Sequence, residues 1–343
     1  MTTSFPRESS GFSMCTNFKH PVAKDGTVCV GRTMEFPDVL PWELGVLASD
    51  HVGKSESSSN GKTWSAKYGI VGVSGFGKPW FADAMNNAGL SGHLLYMPDH
   101  ATYYAAKNDG TDIGILEGLA FILGTCSNTT EAKAALASLN FVNWVPKEVP
   151  VPLPLHIILH DKDSCVVAEF HPDGMVVSDN PVQVATNAPY FDWHLTNVAN
   201  YLSLSAENPK PVNIGGTAFA ASGQGQGFRG LPADENSPSR FIRVLANVQF
   251  AQQPADQKSA EMDTVRILHG FDLVPGTVME ETPNGLMPLL TMWSTVSNLT
   301  GNRYIYNTIG DPQWYAIDLA KTDFSKTRSM PFTTTGGFVD LTV

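Results

Sequence analysis

The sequence predicts an α+β fold in which two β-sheets lie between layers of helices. The first observation is the order of the patterns, because strand-like segments, helical segments, more strands, more helices and a final set of strands follow one another. The second is that no Pro-, Gly- or Ser-rich linker divides the 343 residues into independent halves. The third is a composition of 42% hydrophobic and 16% charged residues, which is typical of one large, well-buried core.

The N-terminal half begins with strands and continues with helices. Val-rich and aromatic runs bounded by turn residues indicate strands, and apolar residues at helical spacing indicate helices. These patterns predict strands at 27–34 and 68–73, a hairpin over 81–96 with its turn at 86–89, and helices at 113–123 and 130–139.

The C-terminal half repeats this order. Ser237 is predicted as an N-cap with Pro238 at the first helical position, so a helix is expected to continue to about Gln253. A polar, Gly-rich internal loop over 224–238 precedes it. The other predicted elements are strands at 155–159, 165–170 and 175–177, helices at 192–204 and 263–269, and strands at 289–299, 303–308 and 314–317.

The charge balance limits the classes of partner. The formal net charge is −11, which argues against nucleic acid, since phosphate binding needs a basic surface. No run of 18 apolar residues occurs, so no membrane-spanning helix is expected, and no polybasic patch suggests a membrane surface. Residues 1–13 lack the apolar core of a secretory signal, so the cytoplasm is expected, or the periplasm if a native signal has been replaced.

The four cysteines differ in their surroundings. No C-x-x-C pair is present, so neither a zinc knuckle nor a thioredoxin-type motif is indicated. Cys29 and Cys165 lie in apolar strand-like runs and are expected to be buried as small hydrophobic residues. Cys15 instead follows a polar segment, which makes it the candidate nucleophile.

A cysteine nucleophile needs activation, because a free thiol with a pKa near 8.5 is mostly protonated at neutral pH. No papain-type signature supplies a histidine. The α-amino group of Cys15, with an ordinary pKa of about 7.7–8.0, is suited to be the base if residues 1–14 are removed. Met14 before a small residue is consistent with such processing. The alternative is a structureless cysteine in a leader segment.

Two charged residues follow Cys15 at the distance of one strand. Arg32 lies within an apolar run, where a guanidinium is costly to bury without a partner. It is predicted to hold the Cys15 thiolate, with an ion pair to Glu35 as the alternative. Glu35 is predicted to bond the free amine, with an exposed acid at a strand end as the alternative.

Asn187 and Arg240 complete the candidate site. Asn187 precedes Ala188-Pro189, where it either builds a turn or donates its amide to an oxyanion. Arg240 falls in the first turn of a predicted helix, where the helix dipole disfavours a cation. This local mismatch indicates a nearby partner.

Beyond these residues, the chain from Cys15 onward resembles the choloylglycine hydrolase family of penicillin V acylases and conjugated bile salt hydrolases, which are N-terminal-nucleophile hydrolases. The matching stretches are MCT at 14–16, GRTME at 31–35, FADAMN at 81–86, TNAPYFDWH at 186–194, GQGQGFRGLP at 223–232 and SRFIR at 239–243.

The resemblance implies a four-layer αββα sandwich, a homotetramer, and no metal or organic cofactor. It implies that Cys15 is the nucleophile with its own amine as base, that Arg32 and Arg240 flank the sulfur, and that Asn187 lines the oxyanion hole. Glu35 stands where the family usually has Asp. The backbone N–H of Tyr96 is implied as a second oxyanion donor.

We therefore predict a leader at 1–14 that is removed to expose Cys15, and a single hydrolase domain at 15–343. The predicted reaction is hydrolysis of a linear amide. Tyr96 stands where penicillin V acylases tend to have Tyr and bile salt hydrolases Asn, which favours penicillin V. The alternatives are conjugated bile salts, N-acyl homoserine lactones, and an inactive binding protein of the same fold.

Overall fold

The computed structural model describes residues 14–37, 40–149, 153–282, 284–333 and 336. Apart from Met14, the predicted leader lies outside these residues. The strands, in chain order, are β1 (Met14–Lys19), β2 (Cys29–Phe36), β3 (Trp42–Leu47), β4 (Val52–Lys54), β5 (Thr63–Ser65), β6 (Ile70–Gly75), β7 (Trp80–Asn86), β8 (Ser91–Tyr96), β9 (Asp112–Ile113), β10 (Asn140–Phe141), β11 (Leu155–His160), β12 (Cys165–His171), β13 (Gly174–Asp179), β14 (Val184–Ala185), β15 (Val212–Ile214), β16 (Thr217–Phe219), β17 (Met279–Thr282), β18 (Gly285–Pro288), β19 (Leu290–Asn298), β20 (Arg303–Thr308), β21 (Asp311–Asp318) and β22 (Arg328–Met330).

The α-helices are α1 (Ile115–Thr125), α2 (Thr129–Ala137), α3 (Phe191–Val198), α4 (Ser237–Phe250) and α5 (Gln257–Leu268). Short 3₁₀ turns follow α3 and α5. Within the described part of the chain, no helix has both the length and the apolar character needed to cross a membrane.

Two large antiparallel sheets organise the molecule. The six-stranded sheet has the order β14-β1-β2-β19-β20-β21, and the eight-stranded sheet has the order β13-β12-β11-β8-β7-β6-β3-β22. The long hairpins β1-β2 and β7-β8 therefore lie near the centres of the two sheets. Residues on these central strands are the ones that meet between the sheets.

Period-two burial produces four layers. Along β8, Leu94 packs in the core that includes α1 and α2, whereas Leu95 packs in the core shared with the six-stranded sheet. Ile157 and Ile158 alternate in the same way along β11. On its outer face the six-stranded sheet packs against α4 and α5. The order is helices, sheet, sheet, helices, and the predicted αββα sandwich is confirmed.

Several local predictions need correction. Asn236, not Ser237, is the N-cap of α4, because the Ser237 hydroxyl bonds instead to Thr186 and Asn187. The helix predicted from residue 263 begins earlier, at Gln257, where Asp256 forms a capping box with Ser259. The predicted helix over 192–204 is α3 followed by a 3₁₀ turn.

Candidate active site

Strand β1 places Cys15 between the sheets. It lies opposite Met34 in the β1-β2 ladder and is only 2% exposed. Its backbone N–H donates a hydrogen bond to Asn187 Oδ1 at 2.8 Å. In the intact chain this nitrogen is a peptide nitrogen joined to Met14, and a peptide nitrogen is not basic. The bond nevertheless shows where a freed α-amine of Cys15 would be held.

Arg32 approaches the sulfur from β2. Its Nη2 lies 3.5 Å from Cys15 Sγ and donates to the carbonyl oxygen of Leu94 at 2.5 Å, while Nη1 donates to the carbonyl of Ala82. Burial alone would lower the pKa of Arg32, but negative charge on Cys15 and Asp83 raises it above its ordinary value. The guanidinium is therefore a fixed positive charge beside the thiol.

Asp83 and His93 lie behind Arg32 on the facing hairpin. Asp83 Oδ2 is 3.5 Å from Arg32 Nη1 and 2.5 Å from His93 Nδ1. Its Oδ1 accepts hydrogen bonds from the hydroxyls of Tyr304 at 2.7 Å and Thr295 at 3.0 Å. All of these side chains are buried, so this carboxylate ties the two sheets together and fixes Arg32.

Asn187 follows β14 and is held from several directions. Its N–H donates to the Ser237 hydroxyl at 3.0 Å. Its Oδ1 accepts from Cys15 N at 2.8 Å and from Arg240 Nη2 at 2.6 Å. Its Nδ2 donates to the carbonyl oxygen of Tyr96 at 2.7 Å. Since an amide NH₂ has two donors, one N–H of this group remains for a further acceptor.

Arg240 reaches the same point from the first turn of α4. Its Nε donates to the carbonyl of Glu235 at 2.9 Å, and its Nη1 donates to the carbonyl of Cys15 and, at 2.9 Å, to Thr16 Oγ1. Burial lowers the pKa of Arg240, although the charge of Glu35 opposes this. The position of Arg240 in the first helical turn predicted a nearby partner. Its partners are Cys15 and Thr16 of β1 together with Asn187.

Glu35 lies opposite Met14 in the β1-β2 ladder, next to the pair formed by Cys15 and Met34. It is 1% exposed, and burial raises its pKa to about 7, although the positive charges of Arg240 and Arg32 oppose the shift. A carboxyl group beside the start of a chain at Cys15 is suited to orient an amine there. The alternative of an exposed strand-end acid is wrong.

Tyr96 ends β8, where its carbonyl oxygen bonds Asn187. Burial raises the pKa of its phenol to about 12, with further contributions from the charges of Glu280 and Asp99. Its backbone thus lies beside the predicted oxyanion site, and its ring lies beside two acids.

A cleft of about 830 Å³ leads from this site to the surface. Met14, Asn187 and Arg240 form its inner wall. The outer walls come from three loops, over 98–100, 233–237 and 272–278, and from Glu280 and Leu289. Met14 lines the cleft, whereas Cys15 itself is buried behind it.

The structure brings the other five predicted site residues together around Cys15. Asp83, His93 and Ser237 help to hold Arg32 and Asn187, and these roles were not predicted from the sequence. Asp83 and His93 are polar residues within apolar strand runs of one hairpin, and this signal could have indicated a buried pair. Among the described residues, no cluster of three or more His, Cys, Asp or Glu side chains is placed to hold a metal ion.

Comparison with known proteins gives consistent relatives. Residues 15–332 match the family described as linear amide C–N hydrolases, choloylglycine hydrolase family. A bile salt hydrolase/transferase of Clostridium perfringens is 31% identical, over 90% of this chain and 93% of its own. A penicillin V acylase of Pectobacterium atrosepticum is 23% identical, over 91% and 82%. The crystal structure of a conjugated bile acid hydrolase from Clostridium perfringens superimposes with a TM-score of 0.84 at 27% identity, covering 96% of this chain and all of that one.

Proposed function

Because the chain belongs to the choloylglycine hydrolase family and is an amidohydrolase with the N-terminal-nucleophile hydrolase fold, we propose that it hydrolyses a linear amide with the sulfur of Cys15. One observation carries this proposal. Among the four described cysteines, Cys15 is the one with a hydrogen bond from an arginine to its sulfur, because Arg32 Nη2 lies 3.5 Å from Cys15 Sγ. Cys15 lies behind the inner wall of the large cleft.

The reaction begins with removal of residues 1–14, which converts the Cys15 nitrogen from a peptide nitrogen to an amine. That amine takes the thiol proton as the sulfur attacks the amide carbonyl. The C–N bond then breaks, the leaving amine receives the proton, and a thioester remains. Water, deprotonated by the same amine, cleaves the thioester to release the acid and restore the thiol.

The surrounding residues support distinct parts of this sequence. Arg32 stabilises the thiolate, and the Glu35 carboxylate orients the ammonium of Cys15. The unused Nδ2 hydrogen of Asn187 and the backbone N–H of Tyr96 donate to the oxyanion. Removal of one such donor costs about 3–4 kcal/mol of barrier in a comparable site. Arg240 holds the Cys15 carbonyl and Asn187 in place.

For the substrate, two observations point to different acyl amides. Tyr96 favours penicillin V, as the sequence analysis predicts. Similarity to bile salt hydrolases supports conjugated bile salts as the second candidate. An N-acyl homoserine lactone is the third candidate, and an inactive binding protein would bind one of these without releasing product.

The test compares wild type with Cys15→Ala on penicillin V, glycocholate and a long-chain acyl lactone. Wild type is expected to turn over at least one of them, and Cys15→Ala to fold but lose on the order of 10⁴-fold or more in kcat. Cys15→Ala with wild-type turnover would contradict the mechanism. Wild type that binds these compounds without releasing product would support the binding-protein alternative.

We also propose that residues 15–343 act as one hydrolase domain in a homotetramer. The hairpin β15-β16 supports the assembly, because Val212, Ile214 and Phe219 are each more than half exposed on it. Exposed apolar side chains grouped on one hairpin are typical of a subunit contact. Light scattering of the purified protein measures the mass of the assembly.

A further inference from the structure

The walls of the cleft are rich in acids. The acidic residues that line it are Asp99, Asp234, Glu235, Asp272 and Glu280. Among the described residues that line the cleft, Arg240 is the single arginine and no lysine is present. The whole chain carries a net charge of −11, which has the same sign.

Arg240 is held mainly by acceptors of the protein itself. Each of its three nitrogens donates to a protein acceptor, namely the carbonyls of Glu235 and Cys15, Thr16 Oγ1 and Asn187 Oδ1. It is also only 2% exposed. Four of its five N–H groups are therefore directed to protein acceptors, and an anionic group entering the cleft would find one Nη2 hydrogen unused.

Few of these acids form ion pairs. Arg243 pairs with Glu235 at 2.6 Å, and its charge also acts on the Asp234 carboxyl, while the charge of His269 acts on Asp272. Among the described residues, Asp99, Asp234 and Asp272 form no ion pair with a lysine or arginine side chain. These three aspartates are solvent-exposed at the rim.

The acids of the cleft also act on two residues of the site. Asp99 and Glu280 act on the Tyr96 phenol, and Asp272 acts on the Glu35 carboxyl. A cleft walled by one sign of charge focuses the field and changes the local concentration and the association rate of a charged ligand about 10- to 1,000-fold. The contribution of exposed charges falls as salt is added.

From this arrangement we propose that the cleft selects amides without negative charge, so that neutral or cationic leaving amines are released faster than anionic ones. The inference rests on the proposed function, because it assigns the substrate class of the same site. Amides of glycine, taurine or a penicillin nucleus are anionic, so their kcat/KM should be lower than that of amides of uncharged or basic amines with the same acyl group.

A matched series tests the proposal. Phenoxyacetyl amides of glycine, glycinamide and ethylenediamine share one acyl group and carry charges of −1, 0 and +1 at neutral pH. The expected kcat/KM for the cationic and neutral amides exceeds that for the anionic amide by about tenfold or more, and the gap narrows in 1 M NaCl. An anionic amide cleaved as fast as the others, or faster, would overturn the proposal.

Variants locate the effect. Asp99→Asn and Asp272→Asn, singly and together, are expected to reduce the cation-to-anion ratio. Asp99 has a φ of 60°, a conformation that Asn tolerates as well as Asp, so the backbone is preserved. Asp163→Asn is the control, because Asp163 is exposed, pairs with Lys162 and does not line the cleft. An unchanged ratio in the double variant would contradict the proposal.

The same series of amides distinguishes failure of the proposed function from failure of the charge selectivity. If Cys15→Ala cleaves all three amides as well as wild type does, the proposed function fails. If cleavage depends on Cys15 but does not depend on charge, only the charge selectivity fails.

Discussion

Cys15 lies between two polar regions, one with buried and paired charges and the other with exposed acids. Between the sheets, Arg32 meets Asp83, which also contacts His93 and Tyr304, and every member of this group is buried. On the cleft side, Asp99, Asp234 and Asp272 at the rim form no ion pair with a lysine or arginine among the described residues. The side chains of the first region are buried and held by hydrogen bonds, whereas the aspartates of the second region are exposed to solvent.

The difference separates two tasks. In the proposed mechanism Arg32 stabilises the Cys15 thiolate, and burial keeps the Arg32–Asp83 pair from being screened by water and salt. In the proposed selection among substrates, the deciding groups are the acids that a ligand meets on entering the cleft, and most of these lie on loops. Changes between the sheets should therefore affect folding and the chemical step, whereas changes at the rim should affect specificity.

The largest expected effect comes from breaking the inter-sheet pair. Asp83→Asn leaves the Arg32 guanidinium buried without a carboxylate, which typically costs about 3–5 kcal/mol of unfolding free energy. Denaturant unfolding measures this cost. Arg32→Met combined with Asp83→Asn should recover a large part of it, since both charges are then removed.

The matched control is Asp179→Asn, which breaks an exposed ion pair with Lys133 and should cost less than about 1 kcal/mol. Equal costs for the buried and exposed pairs would contradict the distinction between the two regions.

The next effect is on catalysis at the junction of the two regions. Asn187→Ala removes an oxyanion donor, so kcat should fall about 100- to 1,000-fold. It also leaves Arg240 Nη2 without this acceptor, so the melting temperature must be measured beside the rate. Ala188→Gly, at the adjacent cleft position, is the control for loop disturbance. A variant that melts like wild type and keeps its kcat would exclude Asn187 from the oxyanion hole.

The smallest effect is a pH dependence of stability at Glu35 in the chain that retains Met14. Its folded pKa of about 7 lies above the ordinary value of 4.5, so the folded chain binds this proton more tightly than the unfolded chain. The resulting stability is complete below pH 4.5 and is lost as the pH rises to about 7. Gln does not titrate, so Glu35→Gln keeps its unfolding free energy as the pH rises. Between pH 5 and 8 the unfolding free energy of the variant should rise relative to that of wild type, by about 3 kcal/mol at most.

Unfolding free energies at pH 5, 6, 7 and 8 measure the Glu35 effect. Glu131→Gln serves as the control, because hydrogen bonds from Ser127 lower the pKa of Glu131, and its contribution is lost only in more acidic solution. A Glu35→Gln curve parallel to that of wild type would show that this carboxyl is ionised at lower pH than its burial implies.

The chemistry of the site was predictable because its residues violate local expectations. A guanidinium in the apolar run of β2, and another in the first turn of α4, each demand a partner, and both meet at Cys15. The strands and helices that carry them have clear periodicity. The αββα order could be predicted for the same reason.

The rest depends on contacts between distant segments. The acids of the cleft come from loops near residues 99, 234 and 272, whose proximity no local pattern encodes. Strand β3 was missed because it lies among turn-rich segments, and Ser237 was assigned to the wrong bond because its partner, Asn187, is 50 residues away. The Asp83–His93 pair needed only the register of one hairpin, and that register was within reach of the sequence.

The central claim is that the nucleophile is an N-terminal Cys15. The most direct test is the intact mass of the active, purified enzyme before and after brief incubation with a phenoxyacetyl amide. The account predicts a mass for a chain that starts at Cys15, with one phenoxyacetyl group added on trapping and none added to Cys15→Ala. An active enzyme that retains residues 1–14 would contradict the claim, because its Cys15 nitrogen would still be a peptide nitrogen.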